Sequence, residues 1–322
     1  LPGEINGLAY RLKGLAARDR RRRDFTLNAL TFAIREFIAC LPVYRTYIDP
    51  NDGFISANDR QVVEQTTVEV KRRNPRTDPT IFDFIRDQVL TQDTDAERMA
   101  FVARFQQVSG PVMAKGVEDT AFYQYNRLIS LNEVGGDPDQ FGLSISGFHK
   151  ANAERRQHWP HSLLATSTHD SKRSEDVRAR INVLSEMPRQ WRAALTRWGR
   201  LNSRHKIGVD GRPAPDRNDE YLLYQTLLGA WPLEEPDDHG YEDFCRRIAE
   251  FMLKAAKEAK VNTSWINPSE AYEEALRKFV QAVLDRSLEN PFLDDFLQLE
   301  QTVANLGLFN ALSQVLLKFT SP

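Results

Sequence analysis

The chain has 322 residues, of which 41% are apolar and 27% charged, the proportions of an ordinary globular protein; this excludes a disordered or fibrous chain and leaves room for two or three domains. A formal net charge of −2 argues against a domain that binds polyanions, so nucleic acid is not an expected partner. With no run of 18 apolar residues and no basic-then-apolar amino terminus, no membrane partner is expected either.

Leu27, Leu30, Ile34, Phe37, Ile38 and Leu41 recur at steps of three and four and predict helix through the first forty residues, stopped by Pro42. The arginine run Arg20, Arg21, Arg22 and Arg23, flanked by Asp19 and Asp24, reads as a solvated helix start rather than a nucleic-acid patch. Residues 43–48 are aromatic and β-branched and predict one buried strand, closed by a turn cluster at 49–53. Helices are predicted over 57–73, 79–91 and 94–108, interrupted at Asn74-Pro75, Asp78-Pro79 and Gly110-Pro111. Residues 115–125 read as a further helix crowded with aromatic side chains, followed by a loop at Gly135, Gly136, Asp137 and Pro138.

A helix over 146–159 ends at Pro160, and residues 162–167 predict a short, fully buried strand. Helices over 173–184 and 189–203 lead to a polar loop at 208–215, and helix continues from there almost to Phe319. In the strongest of these, 242–259, Phe244, Ile248, Phe251, Met252 and Ala255 form one stripe, which is a core signature and not a chemical one. Cys40 and Cys245 stand apart without zinc-ligand spacing and sit among apolar residues, so no metal is expected and a reducing, cytoplasmic setting is.

Two segments concentrate chemistry. His169 and Asp170 follow the predicted strand and precede a helix, where a barrel enzyme places catalytic groups; such a pair can hold adjacent hydroxyls of a sugar ring. Spacing alone leaves open a second reading, in which Asp170 or Ser171 caps the helix and His169 packs. The other segment, from Gly110 to Gly136, mixes charge, amide and aromatic groups more densely than a packing helix requires; aromatic faces suit pyranose rings, while Lys, Glu and Asn reach hydroxyls. Its plainer alternative is an ion-paired helix in which Lys115 meets Glu118 or Asp119.

The strings GPVMAKGVEDTAFYQYNRLISLNEVGGDP and LLATSTHDSKRSEDVRARINVLSE resemble the maltooligosyl trehalose synthases of the α-amylase clan, as do RRRDFTLNALTFAIREF and NDEYLLYQTLLGAWP in the flanking helices. The resemblance implies a mainly α chain: helical insertions attached to the later part of a (β/α)₈ barrel, with few strands. Residues 1–75 would be the end of an insertion and a return strand, 76–185 the substrate segment, and 186–322 a second helical subdomain. It implies an isomerase that moves a reducing-end α-1,4 linkage of a maltooligosaccharide to α,α-1,1 by intramolecular glucosyl transfer, without cofactor.

On that match Asp170 stabilises the transition state and His169 assists, while Lys115, Glu118, Tyr123, Asn132, Glu133, Lys172 and Arg173 line the glucan site. The clan also uses an Asp nucleophile and a Glu acid/base, and neither motif is found; Arg86-Asp87 lies in an amphipathic helix. A retaining enzyme needs two carboxyl groups about 5–5.5 Å apart around the scissile bond. The expectation is therefore an internal fragment, inactive alone, whose partners are a glucan and the rest of a parent chain. The absence of an initiator Met and the abrupt ending agree with it. The competing reading is a non-catalytic helical module that binds glucan or acts as a scaffold.

Overall fold

The computed structural model describes residues 2–49, 54–92, 95–287 and 289–322. The chain divides into two compact units, Leu1–Val117 and Glu118–Pro322. The boundaries expected near 75 and 185 both fall inside a unit.

The first unit holds five helices among its described residues: α1 (Pro2–Ala17), α2 (Leu27–Ala39), α3 (Ala57–Arg73), α4 (Thr80–Leu90) and α5 (Ala96–Gly116). Their starts are written in the sequence. Thr26, Ser56 and Asp95 each accept a bond from an otherwise orphaned N–H of the first turn of α2, α3 and α5. The i, i+4 stripes meet in one core, in which Leu8, Leu12, Leu30, Ile34, Phe37 and Phe105 are fully buried, the two phenyl rings edge to face at 6.0 Å.

Three expectations fail here. The four arginines do not open a helix: they lie in the turn between α1 and α2, where Arg22 donates to the Thr80 carbonyl at 2.8 Å. Residues 43–48 form no strand: 43 and 44 lie in a bend and 45–48 are irregular. A strand needs a neighbouring backbone, and here one side chain substitutes for it: Gln106 accepts from the Ile48 N–H at 2.7 Å and donates to the Ile48 carbonyl at 3.0 Å. The following turn lies, apart from Asp49, outside the described residues. Finally, α5 runs straight through Pro111, because Val112 and Met113 continue the apolar stripe of Phe105 and Val108 against the core. That packing offsets the bond the proline removes.

The second unit contains α6 (Phe122–Gln124), α7 (Ile145–His158), α8 (Glu175–Asn182), α9 (Pro188–Asn202), α10 (Arg217–Ala230), α11 (Asp238–Ala259), α12 (Glu270–Val283) and α13 (Pro291–Thr320). Trp198 at its centre touches Tyr224, Phe292 and Phe296 at ring distances of 5.3, 5.5 and 5.6 Å. Of the stripe on α11, Phe244, Ile248, Met252 and Ala255 are buried, and Phe251 lies at its edge. α8 packs closely on α10 because Gly229 has no side chain; a Cβ there would lie 2.8 Å from Val177 Cγ1 and 2.9 Å from Ile181 Cδ1.

The strand expected at 162–167 is absent. The segment is irregular and Leu163 is 97% exposed, since no neighbouring strand is available to it among the described residues. The loop expected at 208–215 is instead an antiparallel hairpin, β1 (Ile207–Val209) with β2 (Arg212–Ala214). Asp210 and Gly211 turn it with φ of 50° and 75°, as an Asp-Gly pair favours. No helix among the described residues is long and apolar enough to cross a membrane.

Candidate glucan-facing site

Residues 118–133 fold back on themselves through a π-helical turn, α6 and a short 3-10 turn. Asn132 makes this fold possible: its amide donates to the carbonyls of Phe122 at 2.9 Å and Tyr125 at 2.6 Å, groups that the end of a helix leaves without partners. Gln225 of α10 fixes the other side, accepting from the Ile129 N–H at 3.0 Å and donating to the Asn126 carbonyl at 2.7 Å. Glu118 is buried and accepts from the Gly135 N–H at 3.3 Å. Within seven residues, Asn126 Oδ1, Ser130 Oγ and Asn132 Oδ1 are buried without a hydrogen-bond partner among the described residues. Buried polar groups left in that state cost about 1–3 kcal/mol each, and a cluster of them marks a segment not shaped for stability alone.

Glu133 joins this segment to the loop that carries His169 and Asp170. Its Oε1 accepts from the Lys172 N–H at 2.7 Å and the Val134 N–H at 2.9 Å, and its Oε2 from the Arg173 N–H at 3.3 Å and Arg178 Nη1 at 3.0 Å. Burial pushes this carboxyl up, but the three backbone N–H groups and the Arg178 charge outweigh it and hold the group below its ordinary range. Lys172 Nζ reaches Asp119 at 2.6 Å; burial opposes the ammonium charge, and the Asp119 contact more than offsets it, raising its pKa. The loop is tied at its start as well. Arg178 donates to the carbonyls of Thr166 and Arg173, and Ser167 both donates to the Glu175 carboxylate and accepts from the Glu175 N–H.

His169 and Asp170 stand at the apex of this braced loop, their side chains 90% and 71% exposed, with His169 Nε2 3.3 Å from Asp170 Oδ2. They are therefore at a loop tip and not at a strand end in this chain. Neither caps α8; Ser174 does, accepting from the Val177 N–H at 3.4 Å. Tyr123 is buried with its ring in the core; burial raises its phenol pKa, against the pull of Lys172 and Arg173. Arg173 donates to the Ile129 carbonyl at 3.1 Å and lies over the Phe251 ring at 6.0 Å; burial lowers its pKa to about 10, which leaves it charged at neutral pH.

Of the residues singled out from sequence, Glu118, Tyr123, Asn132, Glu133, His169, Asp170, Lys172 and Arg173 share the second unit, and Lys115 belongs to the last turn of α5 in the first. Sequence reasoning assigns no role to Glu175, Arg178 and Gln225, and reads Asp119 only as an ion-pair partner for Lys115 and not for Lys172. Only Glu175 had a local signal, its place in the acidic first turn of a helix. The result is an exposed carboxylate and imidazole on a rigid mount, with cations held close by: an arrangement suited to hydroxyl groups. Among the described residues, no group of three or more His, Cys, Asp or Glu side chains is placed to hold a metal.

No family model matches the chain. A Mycobacterium tuberculosis protein named as a maltooligosyl trehalose synthase is 40% identical over 185 residues, 58% of this chain and 22% of that protein. The solved maltooligosyltrehalose synthase of Arthrobacter ramosus superposes with a TM-score of 0.78 at 34% identity, over 99% of this chain and 36% of its own. A hypothetical maltooligosyl trehalose synthase from Sulfolobus tokodaii gives 0.70 at 30% identity, over 99% and 40%. The chain thus spans between about a fifth and two fifths of these relatives, and the mainly helical fold corresponds to a helical part of them. The resemblance seen in the sequence strings holds in both comparisons.

Proposed function

We propose that this chain, which matches part of the maltooligosyl trehalose synthases along nearly its whole length, supplies one carboxylate and several sugar contacts of a retaining α-glucan active site. Asp170 holds hydroxyls of the transferring glucosyl unit and stabilises the positive charge that develops on it; His169 shares the hydroxyl contacts. Glu118, Tyr123, Asn132, Glu133, Lys172 and Arg173 form and orient the wall of the site, Glu133 by fixing the loop and Lys172 by offering its ammonium group. The reaction is the intramolecular transfer that converts a reducing-end α-1,4 linkage into α,α-1,1, and the setting is the cytoplasm.

The observation that carries this reading is the Glu133 bridge. It brings the two most family-like strings into one braced element with an exposed Asp170 at its tip. The nucleophile and acid/base belong to parts of the barrel that this chain does not include. Incubating the chain with maltopentaose tests it: a lone Asp170 can form no glucosyl-enzyme, so reducing ends should persist at the level of a no-protein control while the glucan still binds. Steady loss of reducing ends would refute the division of labour. Absence of any glucan binding would refute the site.

A further inference from the structure

Between α9, the β1–β2 hairpin and the start of α10 runs an open trough of about 1260 Å³. Five cationic side chains line it, Arg192, Arg200, Lys206, Arg212 and Arg217, against two carboxylates, Asp216 and Glu220. Both carboxylates are engaged. Glu220 is buried, paired to Lys206 at 2.7 Å and bonded by the Tyr224 hydroxyl at 2.7 Å; Asp216 accepts from two N–H groups of α10 and from Asn262. The four guanidiniums, by contrast, have no ion pair or hydrogen bond among the described residues.

Their placement follows from local structure. Arg192, Thr196 and Arg200 recur at i, i+4 and i+8, so they share one face of α9 and the two arginines stand about 12 Å apart along it. Arg217 occupies the first turn of α10, where the helix dipole already favours negative charge, so a cation there adds to a positive field and does not relieve it. Arg212 projects from the short hairpin. Leu195, Ile207, Pro213 and Tyr221 supply an apolar wall between the charges.

We propose that this trough binds an organic polyphosphate: a small molecule with two or more phosphate groups on a ring-bearing body. Guanidinium forks match phosphate oxygens in pairs, and cations spread over about 12 Å need more than one phosphate to satisfy them. The apolar wall takes the ring. A chain whose overall charge is negative would not hold such an anion by its general field, so recognition is local to these arginines.

The test is isothermal titration of the full chain at low ionic strength with ATP, inorganic tripolyphosphate, adenosine and a poly-glutamate peptide. ATP is expected to saturate a single site, tripolyphosphate to bind more weakly and adenosine not at all. Substituting Arg200→Ala together with Arg212→Ala should weaken ATP binding at least tenfold without moving the thermal midpoint, whereas Arg246→Ala, on α11 outside the trough, should leave it unchanged. The proposal fails if ATP does not saturate, if the double substitution leaves its affinity intact, or if adenosine or poly-glutamate binds as tightly as ATP.

Discussion

The carboxylate of Glu133 accepts a hydrogen bond from the backbone N–H of Lys172 at 2.7 Å, across 39 positions of sequence, and by this contact one loop is shaped by another. Because the acceptor is charged, the bond belongs to the stronger class, and it is reinforced by Arg178 on the same carboxylate.

Replacing Glu133 with Ala should therefore release the loop at 166–174 and not unfold the unit. Hydrogen exchange at the Lys172 and Arg173 amides is expected to accelerate at least tenfold, with the amides of α10 unchanged. The pH dependence has a definite sign. The folded-state pKa of Glu133 is depressed, so its contribution is present above the ordinary carboxylate range and is lost only as pH falls through the lower folded value. Protection of the two amides should be flat through neutrality and collapse only in acid.

Asp170→Asn in a complete synthase should lower turnover about 10²–10³-fold, the usual effect of removing one electrostatic stabiliser of a transition state. Its side chain is 71% exposed, so the thermal midpoint should not move. Turnover near the parent value would remove Asp170 from the mechanism.

Asp219 behaves in the opposite sense to Glu133. Burial raises its pKa from 3.8 to about 6, against the Tyr272 hydroxyl, which donates to it at 2.5 Å. The folded state thus holds a proton that the unfolded state releases, and stability is greatest below pH 3.8 as far as this group is concerned, falling as pH rises through about 6. Asp219→Asn keeps an oxygen for Tyr272 and carries no charge. It should stabilise the chain at pH 7.5 by up to about 3 kcal/mol and have little effect near pH 4, as read from urea unfolding at the two pH values.

Gly229→Ala weighs two effects. Helix propensity favours Ala by roughly 1 kcal/mol, but the new Cβ meets Val177 and Ile181 below 3 Å, and overpacking costs about 1–3 kcal/mol. The net expectation is a destabilisation of about 0–2 kcal/mol, with faster exchange in α8 as it is pushed from α10. A stabilised variant would show that α8 can move without cost.

The sequence by itself determined the helices. Apolar residues at steps of three and four, with the prolines and polar residues that bound them, placed α3, α4, α7, α8 and α9 within about two residues, because a helix closes its hydrogen bonds within one segment. It also carried the family resemblance, including the string around His169 and Asp170. What it could not decide was every feature that needs a partner from elsewhere in the chain. Residues 43–48 and 162–167 have strand-like composition, yet a strand exists only beside another, and Gln106 or solvent took that role instead. Glu133 reads from sequence as one more polar group in a sugar-like segment; only folding brings Lys172, Arg173 and Arg178 onto it. The same reason hides the arginine trough. A net charge of −2 counts charges without their positions, and Arg192, Arg200, Arg212 and Arg217 face one space only because a helix, a hairpin and a second helix are packed around it.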